Sequence, residues 1–191
     1  SVKEFANAPT VGEVAASIGA GLAKSALGGR VGTTGANLAK DGELVDLAHP
    51  IESDSSLAIV TAKNRDGTVS PDALYLLRHS CAHVMAEAIQ RLYPGVQLVY
   101  GPPLETNFYY DMLFPDGKVM SADDFEKVEA EMAKIVAENR PFTRYDLPIA
   151  DGMAKLQKEG SKFKLDNAQR AAEAGSTALS WYATGEPFGY G

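Results

Sequence analysis

The chain has 191 residues, which is enough for one domain or two small ones at roughly 150 residues per domain. With 45% hydrophobic and 23% charged residues, it has the composition of a folded globular protein and not of a disordered one. The net charge of −7 argues against nucleic-acid binding through a general positive field, and the single cysteine, Cys81, excludes a disulfide framework. Because no apolar run approaches the ~18 residues that span a bilayer, we expect no membrane partner. The single cysteine fits a reducing cytosol, so we expect a cytoplasmic location.

The first third of the sequence predicts a small mixed domain. Thr10 and Glu13 have capping-box spacing, and the helix that they begin is expected to stop at Gly19 and Gly21. Short strands are predicted at 2–5, 29–31, 43–47 and 57–61, with a loop over 32–37. One helix with several short strands indicates a compact α+β roll.

The rest of the sequence predicts two long helices separated by strands. Ser70, Pro71 and Asp72 form a helix start, and Pro94 with Gly95 ends that helix. Its predicted buried stripe is Leu74, Leu77, Cys81, Val84, Ala88 and Leu92. Strands are predicted at 96–100 and 107–114.

A second long helix is expected to begin at Ser121 and Asp124. Its predicted apolar face carries Phe125, Val128, Met132, Ile135 and Val136. Residues 150–175 have helical propensity, and 179–185 predict a strand that enters a turn.

Two histidines, His79 and His83, lie four residues apart on the first long helix, so their side chains share one face. Such a pair can bind a metal, position a water or act as acid and base, but spacing alone is more typical of helix-surface residues with ordinary hydrogen bonds. A zinc protease is excluded, because Ser80 and not Glu follows the first histidine.

Two further segments have an open interpretation. Residues 107–111 alternate, so that Phe108 and Tyr110 share one face; this is typical of a half-buried strand. Lys155, Lys158, Lys162, Lys164 and Arg170 form a basic stretch in an acidic chain. Such a stretch is usually a solvated face, yet it is also the best candidate here for phosphate contact.

Taken together, the motifs resemble those of one family. Arg78-His79-Ser80-Cys81-Ala82-His83, Gly101-Pro102 and Phe108-Tyr109-Tyr110-Asp111 resemble the editing domain of threonyl-tRNA synthetases. The segments 29–31, 42–47 and 59–63 resemble the TGS domain of the same enzymes, and the segment from Gly160 to Lys164 resembles the part that carries an active-site lysine.

The resemblance implies the fold and its division into domains. It implies an α+β chain with a ubiquitin-like β-grasp TGS domain at 1–63, a linker at 64–72 and an editing domain at 73–191. The editing domain is expected to have an antiparallel sheet and long helices, and to be truncated on its C-terminal side.

The resemblance also implies an activity, hydrolysis of serine wrongly attached to the 3′ end of tRNA(Thr). His79, His83 and Lys164 would be catalytic, and Tyr110, Gly101 and Pro102 would bind the substrate. No metal or cofactor is expected here, since ATP and zinc would belong to a catalytic core outside this sequence. We expect tRNA as partner, no DNA, a parent enzyme that dimerises through the missing core, and a monomeric chain.

This sequence departs from the family pattern in three respects, one of which is an apparent insertion at 32–41 in the TGS hairpin, with no first strand before Val2. The Asp-x-Cys-Arg-Gly-Pro-His segment that completes the family's pocket, and all catalytic motifs for aminoacylation, are absent from it. We therefore expect an N-terminal fragment. Two alternatives remain, a non-catalytic TGS-type module that binds RNA or protein, and a zinc-dependent aminoacyl-tRNA deacylase related to alanyl-tRNA editing proteins.

Overall fold

The computed structural model describes residues 2–184. The chain divides into two compact units, Ser1–Arg78 and His79–Gly191. The division falls within a helix, after the predicted linker at 64–72, so the proposed domain boundaries stay a prediction. Helices and antiparallel strands are both present in each unit, which confirms the predicted α+β class.

The first unit contains a three-stranded antiparallel sheet with helices around it. Its elements are α1 (Val11–Ile18), α2 (Ala20–Ser25), β1 (Ala26–Thr33), α3 (Leu38–Asp41), β2 (Glu43–Val45) and β3 (Ser55–Thr61). Strand β1 lies between β2 and β3 in the sheet. Gly29 of the central strand pairs with Val45 on one side and Ile59 on the other.

Helix α1 begins at the predicted capping box. The Glu13 amide donates to Thr10 Oγ1 over 3.2 Å, and the Thr10 amide donates to Glu13 Oε2 over 2.7 Å. Val11 is fully buried, and a Cβ at Gly29 would lie 2.9 Å from its Cγ1. The glycine therefore lets the helix pack closely on the central strand.

Three expectations for the first unit need correction. Residues 2–5 form no strand, since both sides of β1 are already paired and Val2 is 92% exposed. Gly19 ends α1 as predicted, but Gly21 lies inside α2. The predicted loop at 32–37 is shorter, because β1 continues to Thr33, which pairs with Ser55 of β3.

A long helix, α4 (Pro71–Leu92), has the predicted bounds. Ser70 Oγ accepts a hydrogen bond from the Ala73 amide over 3.2 Å, as expected of an N-cap. The elements that follow are β4 (Gln97–Tyr100), β5 (Asp111–Leu113), α5 (Phe125–Ala137), β6 (Phe142–Pro148), α6 (Ile149–Glu159), α7 (Lys162–Glu173) and β7 (Ala178–Thr184). Strands β4 and β5 pair antiparallel, as do β6 and β7.

The second unit has two clusters of buried side chains. The first joins α4 to α5 through Ala88, Ile89, Val128 and Ile135. The second lies under α6, α7 and β7, where Leu156, Ala168 and Trp181 pack together. Tyr145 of β6 stacks on Trp181 with 6.4 Å between ring centroids.

Several details of the second unit differ from the sequence prediction. Leu77 is 49% exposed, and alanines such as Ala82 and Ala86 occupy the buried face of α4. Phe125 and Val136 of the predicted apolar face of α5 are also largely exposed. Strand β5 is shorter than predicted and β6 was not predicted, whereas α6, α7 and β7 fall in the expected segments. The predicted turn at Gly185 lies outside the described residues.

Candidate functional site

The two predicted histidines are in direct contact on one face of α4. Nε2 of His79 and Nε2 of His83 are 3.1 Å apart, a hydrogen-bond distance. The ring centroids are 4.7 Å apart and the ring planes are tilted by 39°. One ring must supply an N–H and the other a lone pair, so two protonated rings are incompatible with this contact.

The surroundings of the pair favour neutral imidazoles. Burial lowers the pKa of His79 from its ordinary value of 6.5. Burial, with the charges of His79 and Lys164, lowers the pKa of His83 to about 4. Both rings still have solvent-accessible surface, so each combines open access with surroundings that disfavour a positive charge.

His83 lines a pocket of about 290 Å³ in the second unit. Most of the lining side chains come from α4, from α5 and the residues after it, and from the β4–β5 region. The polar side chains of the lining include Ser80, His83, Glu87, Gln90, Tyr110 and Arg140.

Tyr110, the predicted substrate-binding tyrosine, forms one wall of this pocket. Its ring lies against Gly101, where an added Cβ would be 2.4 Å from the Tyr110 Cδ2 atom. Burial raises the pKa of the Tyr110 hydroxyl, which therefore stays protonated and able to donate. Pro102 is half-buried in the same loop but is not among the described residues that line the pocket.

Lys164 comes to the site from α7. Its charge contributes to the lowered pKa of His83, so the ammonium lies near that ring. Burial lowers the pKa of Lys164 itself, while the charge of Glu159 opposes that shift. The structure thus places His83 in contact with His79 and in one pocket lining with Tyr110, whose ring packs on Gly101. Lys164 lies close enough for its charge to act on His83.

Sequence reasoning missed a buried ionic network next to the pocket. Glu87 is 6% exposed, and its Oε1 accepts from Arg140 Nη2 over 2.6 Å and lies 2.8 Å from Arg91 Nη2. Arg140 Nη1 also donates to the Thr184 carbonyl over 3.1 Å. The spacing of His79, His83 and Glu87 at successive helical turns was a signal for Glu87, but nothing in the sequence indicated Arg140.

The chemistry that this arrangement supports is hydrolytic. A neutral imidazole pair can orient a water molecule, and a nearby ammonium can stabilise negative charge on an oxygen. Within residues 2–184, no three His, Cys, Asp or Glu side chains are grouped closely enough to hold a metal ion. None of the helices in that range is long and apolar enough to cross a membrane.

The chain is similar to a known domain family and to known proteins. Residues 1–61 match the family model of the TGS domain. The threonine–tRNA ligase of Thiobacillus denitrificans is 42% identical over 188 residues, which are 98% of this chain and 27% of that protein. The threonine–tRNA ligase of Novosphingobium aromaticivorans is 39% identical over 181 residues, which are 95% of this chain and 25% of that protein.

The chain therefore spans about a quarter of the length of the curated relatives that it matches. The TGS match confirms the predicted β-grasp fold for the first unit.

Proposed function

We propose that this chain, which is homologous to the threonine–tRNA ligases and carries a TGS domain over residues 1–61, supplies their editing site. The reaction is hydrolysis of the ester that joins serine to the 3′-terminal adenosine of tRNA(Thr). Serine lacks only one methyl group of threonine, which is worth only ~1–3 kcal/mol of discrimination, so a second, hydrolytic site is needed. The observation that carries the proposal is the His79–His83 contact at a pocket beside Lys164.

The histidines bind the terminal adenosine and hold the attacking water. A pKa of about 4 makes His83 a poor general base at neutral pH, so its role is to orient the water by hydrogen bonding. The water oxygen bonds to the ester carbonyl carbon, and the bond from that carbon to the ribose oxygen then breaks. Serine leaves as a free amino acid, and the proton that the water loses passes to the ribose oxygen.

Lys164 stabilises the negative charge that develops on the carbonyl oxygen during this attack. Tyr110 forms one wall of the substrate pocket. Gly101 packs against the Tyr110 ring, and Gly101 and Pro102 contact the substrate from the loop beside that wall. The step uses neither ATP nor a metal. We further propose that the aminoacylating core, its ATP and zinc, and the dimer contacts belong to other parts of the ligase, which acts in the cytoplasm.

The test is a titration of this chain with serine joined by an amide to 3′-amino-3′-deoxyadenosine, a non-hydrolysable analogue of the ester. Backbone-amide chemical shifts are expected to change at His79, His83, Tyr110 and Lys164. The same adenosine without serine serves as the control and should bind more weakly. Equal binding of both ligands, or no shifts in a folded chain, would favour a binding module without chemistry.

Hydrolysis itself is tested in a full-length threonine–tRNA ligase that carries this region. Replacement of His79 by alanine should abolish release of serine from Ser-tRNA(Thr) and leave threonine attachment intact. Unchanged release would contradict the role of the histidine. Stoichiometric zinc in the active chain would instead favour the zinc-dependent deacylase, for which the described residues provide two imidazoles and no third ligand.

A further inference from the structure

A second cleft lies between β4 and α7 in the same compact unit. Its volume of about 400 Å³ falls within the ~300–1,000 Å³ that is typical of ligand sites. The residues that line it are Val99, Tyr100, Phe163, Asp166, Asn167 and Arg170. None of them was assigned a role in the proposed editing site.

Residues that line the cleft are neighbours in sequence of residues at the proposed editing site. Tyr100 directly precedes Gly101, which packs on Tyr110. Phe163 directly precedes Lys164, whose charge acts on His83. Strand β4 lines both cavities, with Leu98 at the first pocket and Val99 and Tyr100 at the second cleft. This shared strand is the basis for inferring that a ligand longer than one nucleoside spans both.

The chemistry of the lining suits an unpaired nucleotide. Tyr100 is 54% exposed, and Phe163 provides a second, half-buried aromatic ring. Arg170 is exposed, and among the described residues it takes part in no ion pair, so its guanidinium can bind a phosphate. Exposed aromatic rings on which bases stack, combined with cationic groups for the backbone, are the usual means of binding single strands.

The acidic member of the cleft narrows the choice of nucleotide. The Asp166 carboxylate repels a second phosphate but accepts a hydrogen bond from an exocyclic amino group such as that of cytosine. Asn167 can accept or donate at the base edge. The lining therefore fits one phosphate and one amino-bearing base.

We propose that this cleft binds the nucleotide that precedes the aminoacylated adenosine of tRNA, an inference that rests on the proposed function. Tyr100 stacks on the base, and Arg170 binds the phosphate that links this nucleotide to the adenosine. Asp166 and Asn167 contact the amino group of the base. The cleft thereby holds the strand so that the ester lies at His79 and His83.

The test compares two ligands on the intact 191-residue chain. One is the seryl-amide adenosine, and the other is the same compound extended at its 5′ side by cytidylate. We expect the extended ligand to bind about tenfold more tightly, as stacking of one base commonly provides. Arg170→Ala and Tyr100→Ala should each remove most of this gain and leave binding of the shorter ligand unchanged, whereas Tyr100→Phe should keep it.

Matched controls come from α5 in the same unit. Lys127→Ala removes an exposed positive charge, and Phe125→Ala removes an exposed ring, but neither residue lines either cavity. Both control variants should keep the full gain. Equal affinity for the two ligands in the unmodified chain, or a gain that survives Arg170→Ala and Tyr100→Ala, would overturn the inference.

A third ligand separates this inference from the proposed function. Cytidylyl-adenosine without serine should shift the backbone amides of Tyr100 and Arg170. If it does so while neither ligand with serine shifts His83 or Tyr110, the cleft binds a nucleotide and the editing proposal fails. If the serine-bearing ligands shift His83 and cytidylyl-adenosine leaves Tyr100 and Arg170 unchanged, the editing proposal stands and the second cleft is not a nucleotide site.

Discussion

The protonation state of the His79–His83 pair depends on nearby charges and burial as well as on the contact between the two rings. Three influences lower the pKa of His83, namely burial and the charges of His79 and Lys164. Replacement of Lys164 by methionine removes one of them at similar volume. We expect the pKa of His83 to rise from about 4 toward 6.5, as measured by an NMR titration of its ring protons.

The control for this measurement is Lys127→Met on α5, which should leave the titration of His83 unchanged. An unaltered midpoint in Lys164→Met would show that the lysine does not act on the pair.

The pH dependence of the free energy of unfolding follows from the lowered pKa of His83. Since the folded chain holds the His83 pKa below its ordinary value, the unfolded chain binds more protons between pH 4 and 6.5. The contribution of neutral His83 to stability is therefore full above pH 6.5 and is lost as the pH falls toward 4.

Gly101 is required for a steric reason. A Cβ at this position would lie 2.4 to 2.8 Å from three atoms of the Tyr110 ring. We expect Gly101→Ala to displace that ring and to destabilise the fold by about 1–3 kcal/mol, as overpacking does. Chemical denaturation followed by Trp181 fluorescence measures the loss.

A double-mutant cycle isolates the cause of this loss. In a Tyr110→Leu background, which removes the ring, Gly101→Ala should cost clearly less than in the unmodified chain. An equal cost in both backgrounds would show that the glycine serves the backbone and not the tyrosine.

At the level of elements, Arg140 links the end of α5 to both α4 and β7. Its guanidinium binds Glu87 of α4 and the carbonyl of Thr184 in β7. Because Glu87 is buried, Glu87→Ala removes the buried carboxylate that Arg140 and Arg91 share and leaves both paired with the more exposed Glu138. Breaking a fully buried pair lowers the free energy of unfolding by ~3–5 kcal/mol. Because both arginines are partly exposed, we expect Glu87→Ala to lower it by about 2–3 kcal/mol.

A surface ion pair on α5 provides the contrast. Lys134 is 69% exposed and pairs with Glu131 over 2.8 Å. Lys134→Ala should change the free energy of unfolding by no more than about 0.5 kcal/mol. Trp181, the single tryptophan, reports both variants from the same unit. Equal effects of the two substitutions would contradict the structural role of the Glu87–Arg140 pair.

Local signals in the sequence predicted the bounds of helices well. They predicted less well which side chains are buried by long-range packing. The cap at Ser70 and the breakers Pro94 and Gly95 give α4 its bounds, because such signals act within one helical turn. The buried stripe was wrong at Leu77, since burial depends on which segments cover each face of the helix. Small alanines at Ala82 and Ala86 allow that close cover, yet they carry little hydrophobic signal.

In the candidate site, too, the sequence predicted local placement but not contacts between distant segments. The spacing of His79 and His83 placed both rings on one face of α4, where they are in contact. Their meeting with Tyr110 and Lys164 was expected only from the resemblance to a family, because helical spacing contains no information about the β4–β5 loop or α7. Arg140 was missed for that reason, since its partners Glu87 and Thr184 are both more than 40 residues away in sequence.

At the level of the whole molecule, the net charge of −7 limits how this chain would hold the proposed RNA ligand. A general positive field is absent, so attraction must come from single cations at defined places. The segment of α6 and α7 contains five basic and four acidic residues, which makes it less acidic than the remainder of the chain. Lys155 in this segment pairs with Glu159 and lies over the Trp181 ring, whereas Arg170 faces the second cleft.

This charge distribution predicts a weak dependence of binding on salt. A protein that neutralises one phosphate of a single strand gives a slope of about −0.7 in a plot of log affinity against log salt concentration. Binding of the cytidylate-extended ligand should show a slope no steeper than that value, because Arg170 alone contacts its phosphate. Arg170→Ala should bring the slope close to zero, and Lys127→Ala should leave it unchanged. A slope several times steeper in the unmodified chain would mean that further cations bind the strand, and a slope that persists in Arg170→Ala would assign the phosphate to another residue.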